Sequence, residues 1–151
     1  MTGRWDDAMG RAIVQARLAG GAGDVPVGAV VLSPAGDILG EGRNLREVDG
    51  DPSAHAEIVA IRAAASSLGT WRLDGCTLVV TLEPCLMCAG AILQARITRL
   101  VLGAWDAKAG ATGSQWDVVR DARIGSKVEV VSGVRGRECA AVLTDFFEAR
   151  R

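Results

Sequence analysis

Apolar residues recur along the chain in two rhythms, a helical one and a strand one, and the two alternate. Trp5, Met9, Ala12, Ile13 and Ala16 fall at helical spacing, which predicts an amphipathic helix over residues 4–19 ended by the Gly20-Gly21 pair. A short apolar run at 27–32 and a second at 38–42, joined by Ser33-Pro34-Ala35-Gly36-Asp37, predict a hairpin. Residues 44–53 read as a polar loop. From Ala54 the pattern turns helical, with Ile58, Ile61, Ala65 and Leu68 on one face as the expected inward stripe. Residues 77–82 are a β-branched apolar run, the mark of a strand buried on both faces.

A further helix is expected to begin near Pro84, since a proline in the first helical turn loses no hydrogen bond, and to stop before Ile97. Strands at 99–104 and 128–131 follow, separated by a Gly-rich loop at 105–115. Cys139, Val142, Phe146 and Ala149 mark a closing helix. Alternating strands and helices predict an α/β fold with helices on both faces of a central sheet.

The length of 151 residues fits one domain, residues 1–151, and 49% hydrophobic with 23% charged residues is the balance of a globular chain. No apolar run approaches membrane-spanning length, so no membrane is expected and the cytoplasm is the expected location. The net charge of −1 excludes a generally basic nucleic-acid binder. Charge is unevenly spread, however: residues 96–151 carry 10 Lys/Arg against 7 Asp/Glu, which leaves room for a local basic face. Aromatic content is 4% with no tyrosine, against a platform stacking several bases. Trp5 and Trp71 are expected in the core; Trp105 and Trp116 fit core or rim.

Of four cysteines, Cys85 and Cys88 form a close pair, which in a reducing compartment points to metal or redox chemistry, while Cys76 and Cys139 read as small core residues. In a helix, positions three apart share a face, so the sulfurs of Cys85 and Cys88 can converge on one ion. A helix N-terminus favours the thiolates that zinc requires. His55 in His55-Ala56-Glu57 supplies a third ligand. Three protein ligands leave tetrahedral zinc one open position, the mark of a catalytic site. Two thiolates offset the charge of the ion, so a nearby base is needed to move protons. Glu57, two residues beyond His55, can point into the same cavity without ligating. It would take a proton from the attacking water and then protonate a ring nitrogen and the departing ammonia.

A lone Cys-x-x-Cys also fits a redox pair or half a zinc knuckle. A knuckle needs a fourth protein ligand, of which none is evident, and a redox pair leaves His55-Ala56-Glu57 without a role. His55 is the only histidine, so nucleophilic triads would have to take it from the metal. The Gly-rich stretch at 103–113 carries neither the phosphate-loop lysine nor the dinucleotide fingerprint.

With Thr81-Leu82-Glu83-Pro84-Cys85-Leu86-Met87-Cys88-Ala89-Gly90-Ala91 between them, these motifs closely resemble the bacterial tRNA-specific adenosine deaminases of the cytidine deaminase-like superfamily. The resemblance extends to Asp24-Val25-Pro26-Val27-Gly28-Ala29-Val30, Asn44, Asp51-Pro52-Ser53-Ala54, Gly103-Ala104-Trp105-Asp106-Ala107-Lys108, Gly113-Ser114 and Asp145-Phe146-Phe147. It implies a three-layer α/β/α fold around a five-stranded mixed sheet, one Zn2+ per chain, and a homodimer whose RNA sites draw on both subunits. It also implies hydrolysis of the wobble adenosine to inosine in a tRNA anticodon stem-loop, an arginine tRNA above others.

By the same resemblance, Asn44 reads the flipped base and Val25 and Pro84 form pocket walls. Asp106, Ala107 and Lys108 meet the sugar and backbone, and Phe147 with Arg150-Arg151 packs near the anticodon loop. From the residues alone, Asn44 can equally cap a turn, and Arg150-Arg151 can be a solvated helix end. Nucleoside cytidine deaminases usually place cysteine where His55 stands, and riboflavin-pathway deaminases space their cysteines more widely. Guanine deaminases and polynucleotide cytidine deaminases share much of the zinc motif without this Asp106-Ala107-Lys108 neighbourhood. Two departures concern RNA and not chemistry: Arg123-Ile124-Gly125-Ser126-Lys127 stands where many members have an Asn-His pair, and many continue into a lysine-rich tail beyond the position of Arg151. A deaminase of a free base or nucleoside, and a zinc-stabilised RNA-binding module without turnover, are the alternatives.

Overall fold

The computed structural model of the chain describes residues 3–125 and 127–151 and orders ten elements. They are α1 (Asp6–Gly21), β1 (Gly28–Leu32), β2 (Ile38–Arg43), α2 (Arg46–Asp49), α3 (Ala56–Leu68), β3 (Thr77–Leu82), α4 (Leu86–Gln94), β4 (Arg99–Ala104), β5 (Glu129–Val131) and α5 (Gly136–Glu148). The sheet order is β2-β1-β3-β4-β5. β1 runs antiparallel to both β2 and β3, while β3, β4 and β5 run parallel. The parallel step from β3 to β4 needs a crossover, and α4 supplies it.

The expected α/β/α layering is present. Ala29, Val31, Leu78, Val80, Leu100 and Leu102 face α3 and α4, whereas Val30, Leu32, Val79 and Val101 face α1 and α5. Strands β1 and β3 are therefore buried on both faces, which the run at 77–82 predicts for β3, while the run at 27–32 predicts only the hairpin arm that β1 forms with β2.

Four local expectations differ from the structure. Helix α1 continues through Gly20-Gly21 and stops at Ala22, whose N–H reaches the carbonyls of Leu18 and Ala19. The polar loop at 44–53 contains the short helix α2, held from outside by Asp24. Pro84 precedes the helix start instead of occupying its first turn, since Cys85 is the N-cap of α4. The largest difference is the inward face of α3. Ala56, Glu57, Ala60 and Ala64 are buried, while Leu68 is 45% exposed and Ile58, Ile61 and Ala65 are half-buried. The cause lies in β2, where a Cβ on Gly42 would stand 2.4 Å from the Ala56 carbonyl oxygen and 2.5 Å from the Ala60 nitrogen. Glycine in the strand and alanine in the helix let the two backbones approach, so the isoleucines turn outward.

Candidate metal and catalytic site

Strands β2 and β3 both run antiparallel to the β1 between them, so they point the same way and end at one edge of the sheet. Helix α3 follows β2 and α4 follows β3, which brings both helix N-termini to that edge. His55 is the N-cap of α3 and Cys85 the N-cap of α4, each with extended backbone, and Cys88 is the third residue of α4. The Nδ1 of His55 lies 3.5 Å from Cys85 Sγ and 3.6 Å from Cys88 Sγ. The three ligand atoms all fall within 4.8 Å of one another.

The donor set fits zinc. Tetrahedral angles with ordinary Zn–N and Zn–S bonds put a nitrogen and a sulfur roughly 3.5 Å apart, which is the spacing seen here. The thiol chemistry agrees. A hydrogen bond from Cys88, reinforced by His55, lowers the Cys85 thiol to about 4. Cys88, which gives that hydrogen bond and is buried, is pushed up. His55 is raised, chiefly by its hydrogen bond with Cys85. Beside them Glu57 is only 4% exposed, and burial lifts its carboxyl to about 7, within range of a group that both takes and gives protons near neutrality.

A cavity of about 180 Å³ opens over these groups, and Val25, Asn44, Arg46 and Asp106 line it together with His55 and Glu57. Asn44 donates to the carbonyl of Val25 at 3.2 Å and accepts from the N–H of Arg46 at 3.1 Å. It thus does cap a turn, yet an amide has two donor hydrogens and two acceptor lone pairs, so one of each remains for a ligand. Pro84 is buried and is not part of the cavity lining. Ala107 and Lys108 are exposed on the loop just beyond Asp106. Phe147, 50% exposed, and Arg151, also exposed, sit at the end of α5 outside the lining. That end is nonetheless near, because Phe146 and Pro26 both pack against Gly20, and Pro26 adjoins Val25. A larger cleft of about 380 Å³ beside Trp5 and the Ser33–Gly36 turn lies at the opposite edge of the sheet and holds none of these groups.

The sequence reading did not single out Asp24, Arg46 or Glu83 as site residues. Asp24 is fully buried and accepts from the N–H groups of Glu47 at 2.7 Å and Val48 at 3.1 Å, which pins α2 and with it Arg46. Both buried acids stand next to apolar residues, in Asp24-Val25 and Leu82-Glu83. A charge at an apolar boundary is the signal that could have marked them, since an unpartnered buried charge is too costly to keep. Cys76 and Cys139 are buried as expected. Trp5 is half-buried, its ring 4.3 Å from the Arg4 guanidinium and 5.2 Å from that of Arg99. Trp71 is not in the core: it is 58% exposed at the start of the turn into β3. Trp105 and Trp116 are exposed. Of the departing segment 123–127, Ser126 lies outside the described residues.

A model of the cytidine and deoxycytidylate deaminase zinc-binding region matches residues 4–104. A tRNA-specific adenosine deaminase of Haemophilus influenzae is 52% identical over 129 residues, 85% of this chain and 75% of that protein. A tRNA(Ile)-lysidine synthase of Deinococcus deserti is also 52% identical, over 97% of this chain, which spans only 27% of that longer protein. A solved structure from studies of A-to-I editing by tRNA:A34 deaminases at the wobble position of transfer RNA superposes with a TM-score of 0.87. It is 42% identical and the match covers 91% of this chain and 99% of that one.

Proposed function

Because the chain belongs to the tRNA-specific adenosine deaminases, within the zinc-binding cytidine and deoxycytidylate deaminase family, we propose that it hydrolyses the wobble adenosine of a tRNA anticodon loop to inosine, in an arginine tRNA above others. The observation that carries the reading is the convergence of His55, Cys85 and Cys88 beside buried Glu57 under a cavity rimmed by Asn44 and Asp106.

His55 Nδ1 and the sulfurs of Cys85 and Cys88 would hold one zinc ion, which when bound supplies the Lewis acidity that makes water a nucleophile at neutral pH. Asn44 offers its free amide hydrogen and lone pair to the base edge and fixes which ring atom faces Glu57. As the oxygen of water bonds to the amine-bearing ring carbon, Glu57 takes the proton that water releases and passes it to the adjacent ring nitrogen. It then moves the remaining proton of the added hydroxyl to the exocyclic nitrogen, so the carbon–nitrogen bond breaks as the carbonyl forms and ammonia leaves. A carboxyl lifted to about 7 suits both directions of transfer.

Asp106, Ala107 and Lys108 would meet the sugar and backbone of the flipped nucleotide, with Val25 as a wall and Phe147 and Arg151 toward the rest of the loop, while buried Pro84 stands outside the lining. An unpaired loop base costs less to unstack than a paired one, and contacts to flanking nucleotides help hold it out. Free nucleosides lack those contacts. We also infer a homodimer. The outward side of the α3–α4 layer carries a mostly apolar groove, with Ile58, Ile61, Ala65, Trp71 and Ala91 beside Arg62 and Gln94, and Leu68, Leu86 and Met87 of the same two helices are exposed. No helix among the described residues is long and apolar enough to cross a membrane, and the cytoplasm is the proposed location.

Purified chain is incubated with the arginine anticodon stem-loop, its DNA counterpart, free adenosine, free cytidine and free guanine, with ammonia and inosine assayed. Inosine in the stem-loop, with much slower release from free adenosine, is the expected result. Turnover confined to a free base or nucleoside overturns the RNA assignment, and no turnover on any of them favours a binding module.

A further inference from the structure

The Gly-rich loop after β4 would be expected to be flexible on composition, yet it is wrapped around one buried acid. Glu83, 2% exposed, lies between the end of β3 and the metal-ligand segment Pro84-Cys85. One carboxyl oxygen accepts from the N–H of Asp106 at 2.9 Å and from the hydroxyl of Ser114, which also lies 2.7 Å from the Asp106 carbonyl. The other oxygen accepts from the N–H groups of Thr112 at 3.1 Å and Ser114 at 3.0 Å. The loop passes so close that a Cβ on Gly110 would overlap the carboxyl group. The Ala111 N–H then donates to the Pro84 carbonyl at 2.9 Å.

We propose that Glu83 is a positioning residue that holds the substrate-facing loop, residues 106–114, in register with the metal ligand Cys85. One short segment of chain thus sets both the reacting centre and the wall that meets the sugar and backbone. Asp106 reaches the cavity because its own backbone N–H is tied to Glu83. A carboxylate offers only acceptors and here meets only donors, whereas an amide would turn a hydrogen-bearing nitrogen toward one pair of them.

The kinetic consequence rests on the RNA deaminase reading, while loop order can be measured without it. Hydrogen exchange is followed on the zinc-loaded chain and on Glu83→Gln, together with zinc content and steady-state kinetics on the stem-loop. The amides of Asp106, Thr112 and Ser114 should exchange at least ~tenfold faster in the variant, with zinc content unchanged. KM for the stem-loop should rise roughly tenfold while kcat changes by less than about twofold, the split expected when positioning and not chemistry is lost. Ser114→Ala, which keeps the carboxyl group and removes one hydroxyl, should move both readouts the same way by less, and it decides the matter if Glu83→Gln does not fold. Unchanged exchange at these amides overturns the proposal, as does faster exchange with KM unchanged, or a fall in kcat alone. If the parent chain converts no stem-loop, the RNA reading fails, and the exchange result alone decides whether Glu83 orders the loop.

Discussion

Gly42→Ala tests whether the close approach of β2 and α3 sets the catalytic geometry. The added methyl carbon would lie 2.4 Å from the Ala56 carbonyl oxygen, 2.5 Å from the Ala60 nitrogen and 3.0 Å from the Val59 Cβ. The first contact must open by roughly 0.6 Å to reach even 3.0 Å, and both nearest atoms belong to helix backbone, which cannot rotate away as a side chain can. Ala56 sits between His55 and Glu57, so the displaced peptide carries the proposed metal ligand and the proposed proton carrier with it. Overpacking of this kind costs about 1–3 kcal/mol. In a chain of this size that is a fall of roughly 2–12 °C in Tm. A shift of more than half an ångström at the reacting groups should lower kcat/KM on the stem-loop by about 10- to 100-fold. Calorimetry and single-substrate kinetics read the two effects. Gly21→Ala is the control, because nothing lies within 4 Å of its Cβ position in the last turn of α1, and it should be neutral or stabilising by up to ~1 kcal/mol. A Gly42→Ala chain with parental Tm and parental kinetics would refute the argument that glycine is there to admit the helix.

Glu57→Gln should bind zinc as the parent does and lose about 10²–10⁴-fold in kcat, since it removes a proton carrier and not a ligand; activity near the parental level would move the proton path elsewhere. Elemental analysis should find one zinc per chain, and chelation should abolish turnover and lower Tm; folded, active protein without zinc contradicts the site. Light scattering should give twice the chain mass, and Leu68→Glu with Trp71→Glu, both on exposed positions of the apolar face, should give the monomer; a monomeric parent removes the homodimer.

The metal ligands were legible because their geometry is largely local. Cys85 and Cys88 need only the first turn of one helix to face one point, and His55-Ala56-Glu57 needs only a helix start. Strand β3 was legible because burial on both faces leaves a run of β-branched and apolar residues in the sequence itself, and β1 because a turn follows its short apolar run. What periodicity could not decide is which of two plausible stripes on α3 turns inward. Isoleucine outranks alanine on hydrophobicity, but Gly40 and Gly42 on β2 leave room for a backbone and not for a branched side chain, and that partner is known only once the sheet has formed. Trp71 is exposed beside the same outward stripe and differs from its sequence expectation with it. The roles of Asp24 and Glu83 were hidden for a related reason. Their partners lie more than twenty residues away in the chain, so nothing in the neighbouring sequence shows the donors that satisfy them. Residue types and local spacing determined the chemistry at this site, whereas long-range packing decided which loops enclose it, because hydrogen bonds and close contacts between distant segments form only in the folded chain.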